Sequence, residues 1–594
     1  MNDNDTVKYA NLLVEWLCQD GYTHCFFVAG GNNMHLLDGV RNKMTCVAFV
    51  HEVAAGIAAE YFNEVAVDKR AFVLVTAGPG LTNITTALAG AFLESRDLLV
   101  IGGQVKSTDL ASGGIRQRGI QEVDGIAMVE SVCVQTMLME RPAPRQRVLA
   151  AVHRGRTPRK GPVFIEICLD VQAAPVDRIV LESDTDAAFR WEAPKASREE
   201  WDLLTKRLAT AQRPVILLGS GVSRECASAN LDHIRAFGVP VLTSWNAMDR
   251  IGADEELYFG RPNTWGQRRA NVIVQSSDLI IALGARLGLQ QTGFNWQEFA
   301  PNARLIQVDI DQCELDKGHP AIDVGIRADA DGVLEHLLKL PHGELGPWLA
   351  FCEEVRDLLP LSEKSNTRHE GFMNPYDFAL ALSERCSSND IFIPCSSGGA
   401  MTVLMQAFEQ RRGQVIVNNK SLASMGYGLS GAIGASLAGG GRRTILTEGD
   451  GGFSQNLQEL TIVGIRELPI KIFVLSNEGY ASIRMTQKNY FGGDYLGCDT
   501  STGLGFPDWT RLFDAYGIAA IEINDQGLDN QEFETLFESP GPAAFIVNVH
   551  PEQSYYPKIS SRVLPDGGME SNPLHLLSPD LEENVASRVF RFID

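Results

Sequence analysis

Short apolar runs bounded by Gly, Pro, Asn or Asp recur along the chain in three groups. The first lies at 23–29 (THCFFVA), 46–50 (CVAFV), 71–76 (AFVLVT) and 98–102 (LLVIG), with helical stretches between. The second lies at 214–218 (PVILL), 239–242 (VPVL), 278–283 (DLIIAL) and 304–308 (RLIQV); the third at 390–394, 414–418, 444–447, 470–475 and 543–548. Runs this short, alternating with helices, predict parallel strands buried on both faces. A Pro-, Asp- and Ala-rich stretch near 171–198 reads as a linker, and the turn-forming residues of 341–373 (PHGELGPW, SEKSNTRHEGF) as a second break. The expected fold class is therefore α/β: three consecutive α/β domains with parallel sheets, at 1–180, 195–345 and 370–550, then a C-terminal tail at 551–594. The tail's Pro, Ser and Gly predict extended chain wrapped on a surface, with a short helix at its end.

Composition narrows the function classes. A chain of 594 residues exceeds one hydrophobic core, and 44% apolar with 21% charged residues is ordinary for a globular protein. The balance of 52 Lys and Arg against 74 Asp and Glu gives a net charge of −22, which repels phosphate backbones and anionic lipid. No nucleic acid and no membrane is expected as a partner. No apolar stretch reaches the ~20 residues of a membrane span. The eleven Cys contain no C-x-x-C pair and read as buried reduced thiols. The polar start MNDNDTVKYA lacks an apolar signal segment, so a cytoplasmic location is expected.

The sharpest chemistry lies in 444–480. One β-run ends in Gly449-Asp450-Gly451-Gly452, a Leu- and Glu-rich helical stretch follows, and the next β-run ends in Asn477-Glu478-Gly479-Tyr480. Both polar turns then stand at the carboxyl ends of neighbouring parallel strands, the edge where open α/β sheets bind ligands. The glycines let backbone N–H groups close on a phosphate, and a helix N-terminus adds a favourable dipole. Asp450 and Asn477 supply hard oxygen ligands suited to a magnesium ion on phosphate oxygens, with the Gly479 carbonyl as a third. Two ordinary glycine turns would look the same locally; the spacing decides, since Asn477 follows Asp450 by 27 residues. In the first group, FVHEVAAGIAAEY (49–61) places Glu52 where an apolar strand turns into a helix. Apolar surroundings raise a carboxyl pKa, so a proton could exchange there near neutrality.

These features, with Val28-Ala29-Gly30-Gly31, Ala77-Gly78-Pro79-Gly80-Leu81-Thr82-Asn83, GPVFIEICLDV (161–171), SMGYGLSGAIGAS (424–436) and NLQEL (456–460), resemble the thiamine-diphosphate-dependent acetolactate synthase family from about residue 8 to 550. The resemblance implies a pyrimidine-binding first domain, a diphosphate-binding third domain, and a homodimer or homotetramer with Glu52 and Asp450 of one site on different chains. Glu52 would hydrogen-bond N1′ of the cofactor's aminopyrimidine and favour the tautomer that deprotonates the thiazolium carbon. Gly30, Gly31, Gly78 and Asn83 would line the cofactor site. Met425 would be the bulky residue that bends the cofactor. In the middle domain, Gly219 and Gly221, with Arg286, Asp309 and Asp329, match positions that hold FAD in acetolactate synthases, although a second expected Arg is Gln290 here.

The loop GGIRQRGIQEVDG (113–125) lacks the His-His pair of simple pyruvate decarboxylases, and its Gln121-Glu122 resembles the Phe-Gln-Glu of acetolactate synthases, which makes Gln121 a candidate catalytic residue. A Lys typical of that family aligns near Val134, and its Gln-Trp-Gln aligns with Met485-Thr486-Gln487. The tail from Tyr555 and GRPNTWGQRR (260–269) resemble carboligases of bacterial surface-polysaccharide synthesis. The expected activity is thus transfer of a two-carbon unit from pyruvate, a 2-keto acid, to a carbonyl acceptor such as a nucleotide-linked keto-deoxysugar. The alternatives are acetolactate synthase proper, condensing two pyruvates, and a non-catalytic relative kept for assembly.

Overall fold

The computed structural model describes residues 6–157, 159–183, 191–564 and 567–593. Three all-parallel sheets follow one another, two of six strands flanking one of five. The first domain orders its strands Thr45–Ala48, Tyr22–Phe27, Arg70–Val75, Leu98–Gln104, Pro162–Cys168, Gln135–Met139. The third repeats that plan as Val415–Ile416, Ile391–Ile393, Thr444–Gly449, Ile470–Ser476, Ala543–Asn548, Ala519–Ile523. The central strands are buried along almost their whole length, as near-continuous Val, Ile, Leu and Phe require.

Within one chain the first and third domains share a core. It runs from Phe26 and Val73 through Ile57 and Ala58 to Ile433, Leu446 and Ile472. Helix Glu52–Val65 lies directly on helix Tyr427–Ala438. Glycines permit that approach: a Cβ on Gly434 would stand 1.9 Å from the Ala58 carbonyl oxygen, and one on Gly431 2.6 Å from the Tyr61 ring. Beside this contact the buried Glu60 carboxylate is met by Arg96 at 2.7 Å, the Tyr427 hydroxyl at 3.2 Å and the Asn419 amide at 3.3 Å. The Arg96 guanidinium also donates to the Asn418 carbonyl at 2.6 Å. Charges so far from water persist only because each is paired and hydrogen-bonded.

The structure differs from the reading of the apolar runs in three ways. The stretch 171–198, read as a linker, holds strand Pro175–Asp177, paired antiparallel with Thr6–Lys8, and helix Arg178–Glu182, while its residues 184–190 lie outside the described residues. The stretch 341–373 holds a helix, Gly346–Leu358, whose Trp348, Phe351, Cys352 and Val355 are buried against the central domain. Its helical periodicity was concealed by the turn-forming residues around it. The tail does wrap the surface, as two short antiparallel pairs and helix Glu583–Val589. It also enters the interior at Tyr555. Among the described residues no helix is long and apolar enough to cross a membrane.

Candidate functional site

In the third sheet the strands Ile391–Ile393, Thr444–Gly449 and Ile470–Ser476 are parallel neighbours. Their carboxyl ends therefore place Ser396–Gly399, Gly449–Gly452 and Asn477–Tyr480 side by side. Asp450, only 2% exposed, is the centre. One carboxylate oxygen accepts from the Gly451 N–H at 2.7 Å, the other from the N–H groups of Asn477 at 3.0 Å and Gly479 at 3.2 Å. Burial pushes its carboxyl up to about 6, with those N–H groups opposing. The side chain of Asn477 points its amide nitrogen at the Tyr555 hydroxyl, 3.4 Å away, and leaves its Oδ1 buried without a partner. A buried orphan oxygen beside a buried carboxylate is an unfavourable pair unless a cation joins them. The Gly479 carbonyl receives one N–H, from Ala481, and keeps a lone pair. Among the described residues no three His, Cys, Asp or Glu side chains cluster as a metal site. This donor set of one carboxylate, one amide oxygen and one carbonyl suits a cation that brings further oxygens with its ligand.

Gly449 faces open space, whereas a Cβ on Gly451 would stand 2.2 Å from the Tyr480 ring, which covers the turn, and one on Gly452 would stand 3.0 Å from Glu448. Met425 is half-buried, immediately before Gly426, which adopts φ +81° at the start of helix Tyr427–Ala438. Glu448 holds that turn by accepting from the Leu429 N–H at 3.3 Å. Next to it, helix Gly398–Ala407 opens at Ser397 without any side-chain cap, so its positive end is free for an anion.

At the matching edge of the first sheet, Glu52 begins its helix, is 6% exposed and accepts from the Asn83 amide at 3.0 Å. Gly30 closes against Thr76: a Cβ there would lie 2.4 Å from that side chain, while Gly31 is open. Gly78, at φ +69°, lies under Gln121, whose carbonyl oxygen would be 2.8 Å from a Cβ. So Glu52, Gly30, Gly78, Asn83 and Gln121 converge on one edge. Gln121 itself is exposed at φ +62°. Its neighbour Glu122 is buried and staples the loop, accepting from the N–H groups of Arg118 at 2.7 Å, Gly119 at 2.9 Å and Ala111.

Other expected positions do other work. Val134 packs on Gly161 at the amino end of the edge strand Gln135–Met139, opposite the edge that carries Glu52 and Gln121 in its own domain. In the central domain Gly219 and Gly221 lie against the backbone of Gly284, with which both form close backbone contacts. Arg286 donates to the Leu93 carbonyl at 2.8 Å and the Ser421 hydroxyl at 2.7 Å, tying the three domains together. Asp309 accepts from the Asp311 N–H at 2.9 Å, and Asp329 caps helix Ala330–Leu337. Each of these five thus makes contacts within the protein.

Three residues escaped the sequence reading. Tyr555 comes from the tail. Arg484 is buried and holds the Asn477 turn by donating to the carbonyls of Asn477 at 2.6 Å and Pro551 at 3.0 Å. Glu459 reaches across from the third domain to accept from the N–H groups of Val50 at 3.3 Å and His51 at 3.0 Å, just ahead of Glu52. A Glu in the NLQEL motif was visible, but its partner lies 408 residues away.

Comparison with known proteins agrees with this geometry. Residues 7–128 match the N-terminal TPP binding domain of thiamine pyrophosphate enzymes, 202–337 their central domain and 397–547 their C-terminal TPP binding domain. The chain is similar to the acetolactate synthase isozyme 1 large subunit of Escherichia coli, with 28% identity over 93% of this chain and 95% of that one. It is similar to the isozyme 2 large subunit of the same organism, with 28% identity over 96% and 100%. The acetolactate synthase large subunit of Corynebacterium glutamicum is 28% identical over 84% of this chain and 79% of its own.

Proposed function

The chain belongs to the thiamine pyrophosphate enzymes, an acetolactate synthase-like carboligase group, and from that premise we propose that it decarboxylates pyruvate and joins the two-carbon remainder to a second pyruvate, giving acetolactate. The observation that carries the site is the pairing of Asp450 with the orphan Oδ1 of Asn477. Asp450, Asn477 Oδ1 and the Gly479 carbonyl would hold magnesium, and the uncapped helix start at Ser397–Gly399 would face the diphosphate. Bound there, thiamine diphosphate supplies the electron sink for breaking and making the bond beside a carbonyl. The residues of this chain do the rest. Glu52 moves a proton at N1′ of the aminopyrimidine, with Asn83 orienting its carboxylate. Glu459 fixes the backbone that presents Glu52. Met425 would pack against the bound cofactor, and Gln121 stands at the exposed mouth of the Gly78 edge.

The acceptor reading follows the curated relatives, which are acetolactate synthases. Two copies would complete each site. In support, apolar side chains stand exposed around the first-domain half-site, Ile120 at 85% beside Gln121 and Val50 at 57% beside Glu52. A second reading keeps pyruvate as donor but takes a larger carbonyl, a nucleotide-linked keto-deoxysugar, as acceptor. It is favoured by Thr486, exposed on helix Ala481–Tyr490 just after the Asn477 turn, with its hydroxyl turned back to the Ser482 carbonyl at 2.9 Å. Mass spectrometry of products from pyruvate alone, and from pyruvate with such a sugar, tests both. Acetolactate as the dominant product in both tubes upholds the first reading, a sugar adduct upholds the second, and consumption of pyruvate without either overturns carboligation. FAD in the central domain rests on resemblance alone, and flavin released on denaturing the purified protein would support it.

A further inference from the structure

After strand Ala543–Asn548 the tail turns back into the molecule, and its next few residues are held on both sides. Asn366 donates to the Tyr556 carbonyl at 2.8 Å and accepts from its N–H at 2.9 Å. Gln406 donates to the Pro557 carbonyl at 2.7 Å, and the Ile559 N–H donates to the Thr264 carbonyl at 2.9 Å. Gln406 is itself fixed by the Tyr376 hydroxyl at 2.6 Å. A segment clamped this way holds the Tyr555 side chain inside, at 9% exposure, between two of the three turns of the diphosphate edge.

Its ring packs on Gly399, close enough that a Cβ there would stand 2.9 Å from Cζ. Gly399 is in the first turn of helix Gly398–Ala407, ten residues long and uncapped. On the other side the hydroxyl oxygen accepts from the Asn477 amide nitrogen at 3.4 Å. That contact orients Asn477: with the nitrogen directed at Tyr555, the partnerless Oδ1 is left for the cation. The hydroxyl has a proton of its own to give, and no acceptor from the described residues takes it. A buried O–H with its oxygen occupied and its proton unplaced, set between a cation site and a helix N-terminus, lacks one partner: an anionic oxygen.

We propose that Tyr555 is a diphosphate-binding residue, its hydroxyl holding Asn477 in register and donating its proton to a phosphate oxygen of the metal–diphosphate. The inference rests on the reading that the diphosphate sits at Asp450 and Asn477, and extends it to a residue outside the matched domains. A single donor to a charged acceptor is worth about 10- to 100-fold in binding.

Isothermal titration of the full-length apoprotein with magnesium and thiamine diphosphate, and separately with magnesium and inorganic pyrophosphate, reads the phosphate end with and without the rings. Tyr555→Phe keeps the ring on Gly399 and should weaken both ligands by the same factor, about 10-fold or more, at an unchanged melting temperature of the apoprotein. A 3-fluorotyrosine at 555, introduced by codon suppression, preserves shape and strengthens the donor, so it should bind no more weakly than the native residue. Unchanged pyrophosphate affinity in Tyr555→Phe, or a fluorotyrosine protein as weak as the Phe variant, overturns the proposal. Native protein that binds neither ligand would instead defeat the placement of the diphosphate itself.

Discussion

Replacing Asp450 with Asn separates the cost of burying a charge from the use made of it. In the native chain the carboxylate is 2% exposed and its carboxyl is pushed from 3.8 up to about 6, chiefly by burial. At 1.36 kcal/mol per pKa unit, that rise opposes the ionised form by about 3 kcal/mol. The neutral amide escapes this cost. It has only one acceptor oxygen, however. If that oxygen serves the N–H groups of Asn477 and Gly479, the amide nitrogen is turned toward the Gly451 N–H, which loses its 2.7 Å partner. A buried donor left unmatched costs about 1–3 kcal/mol. The two effects oppose one another at similar size, so the Asp450→Asn apoprotein should melt within a few degrees of the native one. Cofactor binding has no such compensation. Even second-sphere partners of metal ligands are worth about 10–100-fold, and loss of the only carboxylate in the donor set should weaken magnesium-dependent thiamine diphosphate binding by at least about 100-fold. Calorimetry of melting and titration calorimetry, run on the same preparations, provide both readings. Native cofactor affinity in the Asp450→Asn protein would refute the metal assignment, and a collapsed fold would refute the stability argument.

Glu52→Gln should retain thiamine diphosphate yet lose about 10²–10⁴-fold in proton exchange at the thiazolium carbon; NMR exchange at the native rate would defeat the role given to Glu52. Arg96→Ala leaves Glu60 buried without its 2.7 Å partner and should cost about 3–5 kcal/mol; an unchanged denaturation midpoint would show that the junction is not held by that pair. Burial raises Glu459 to about 7, so the folded chain keeps a proton that the unfolded chain releases near 4.5, and native stability falls as pH rises between those values. Glu459→Gln should remove up to about 3 kcal/mol of that fall between pH 5 and 8, and identical pH dependence of the urea midpoints in variant and native protein would count against it.

Much of this protein was determined by its sequence alone. The central strands could be read because a strand buried on both faces must be apolar throughout, a property visible in a window of five or six residues. The Asp450 and Asn477 turns could be read because phosphate and cation binding need glycine, a carboxylate and an amide at strand ends, and one strand–helix–strand unit fixes their spacing. The strands that went unread were mostly edges: Gln135–Met139, Val324–Arg327 and Ala519–Ile523 each close a sheet, so one side meets solvent and the apolar run is diluted. Pro162–Cys168 is central, but its Glu166, 1% exposed, interrupts the pattern.

What only the tertiary structure decided is which distant residues meet. Tyr555 reaches Asn477 across 78 positions, and Glu459 reaches His51 across 408. Arg286 matches a flavin-holding position in sequence, and only the fold shows that its guanidinium also reaches Leu93 and Ser421 in the other two domains. Val134 stood near Gln121 along the chain but lies at the other end of the sheet. Local chemistry is written in a few adjacent residues because backbone geometry and side-chain polarity act over one turn or one strand. A hydrogen bond between domains is set instead by how whole sheets pack, and no short window of sequence contains both of its ends.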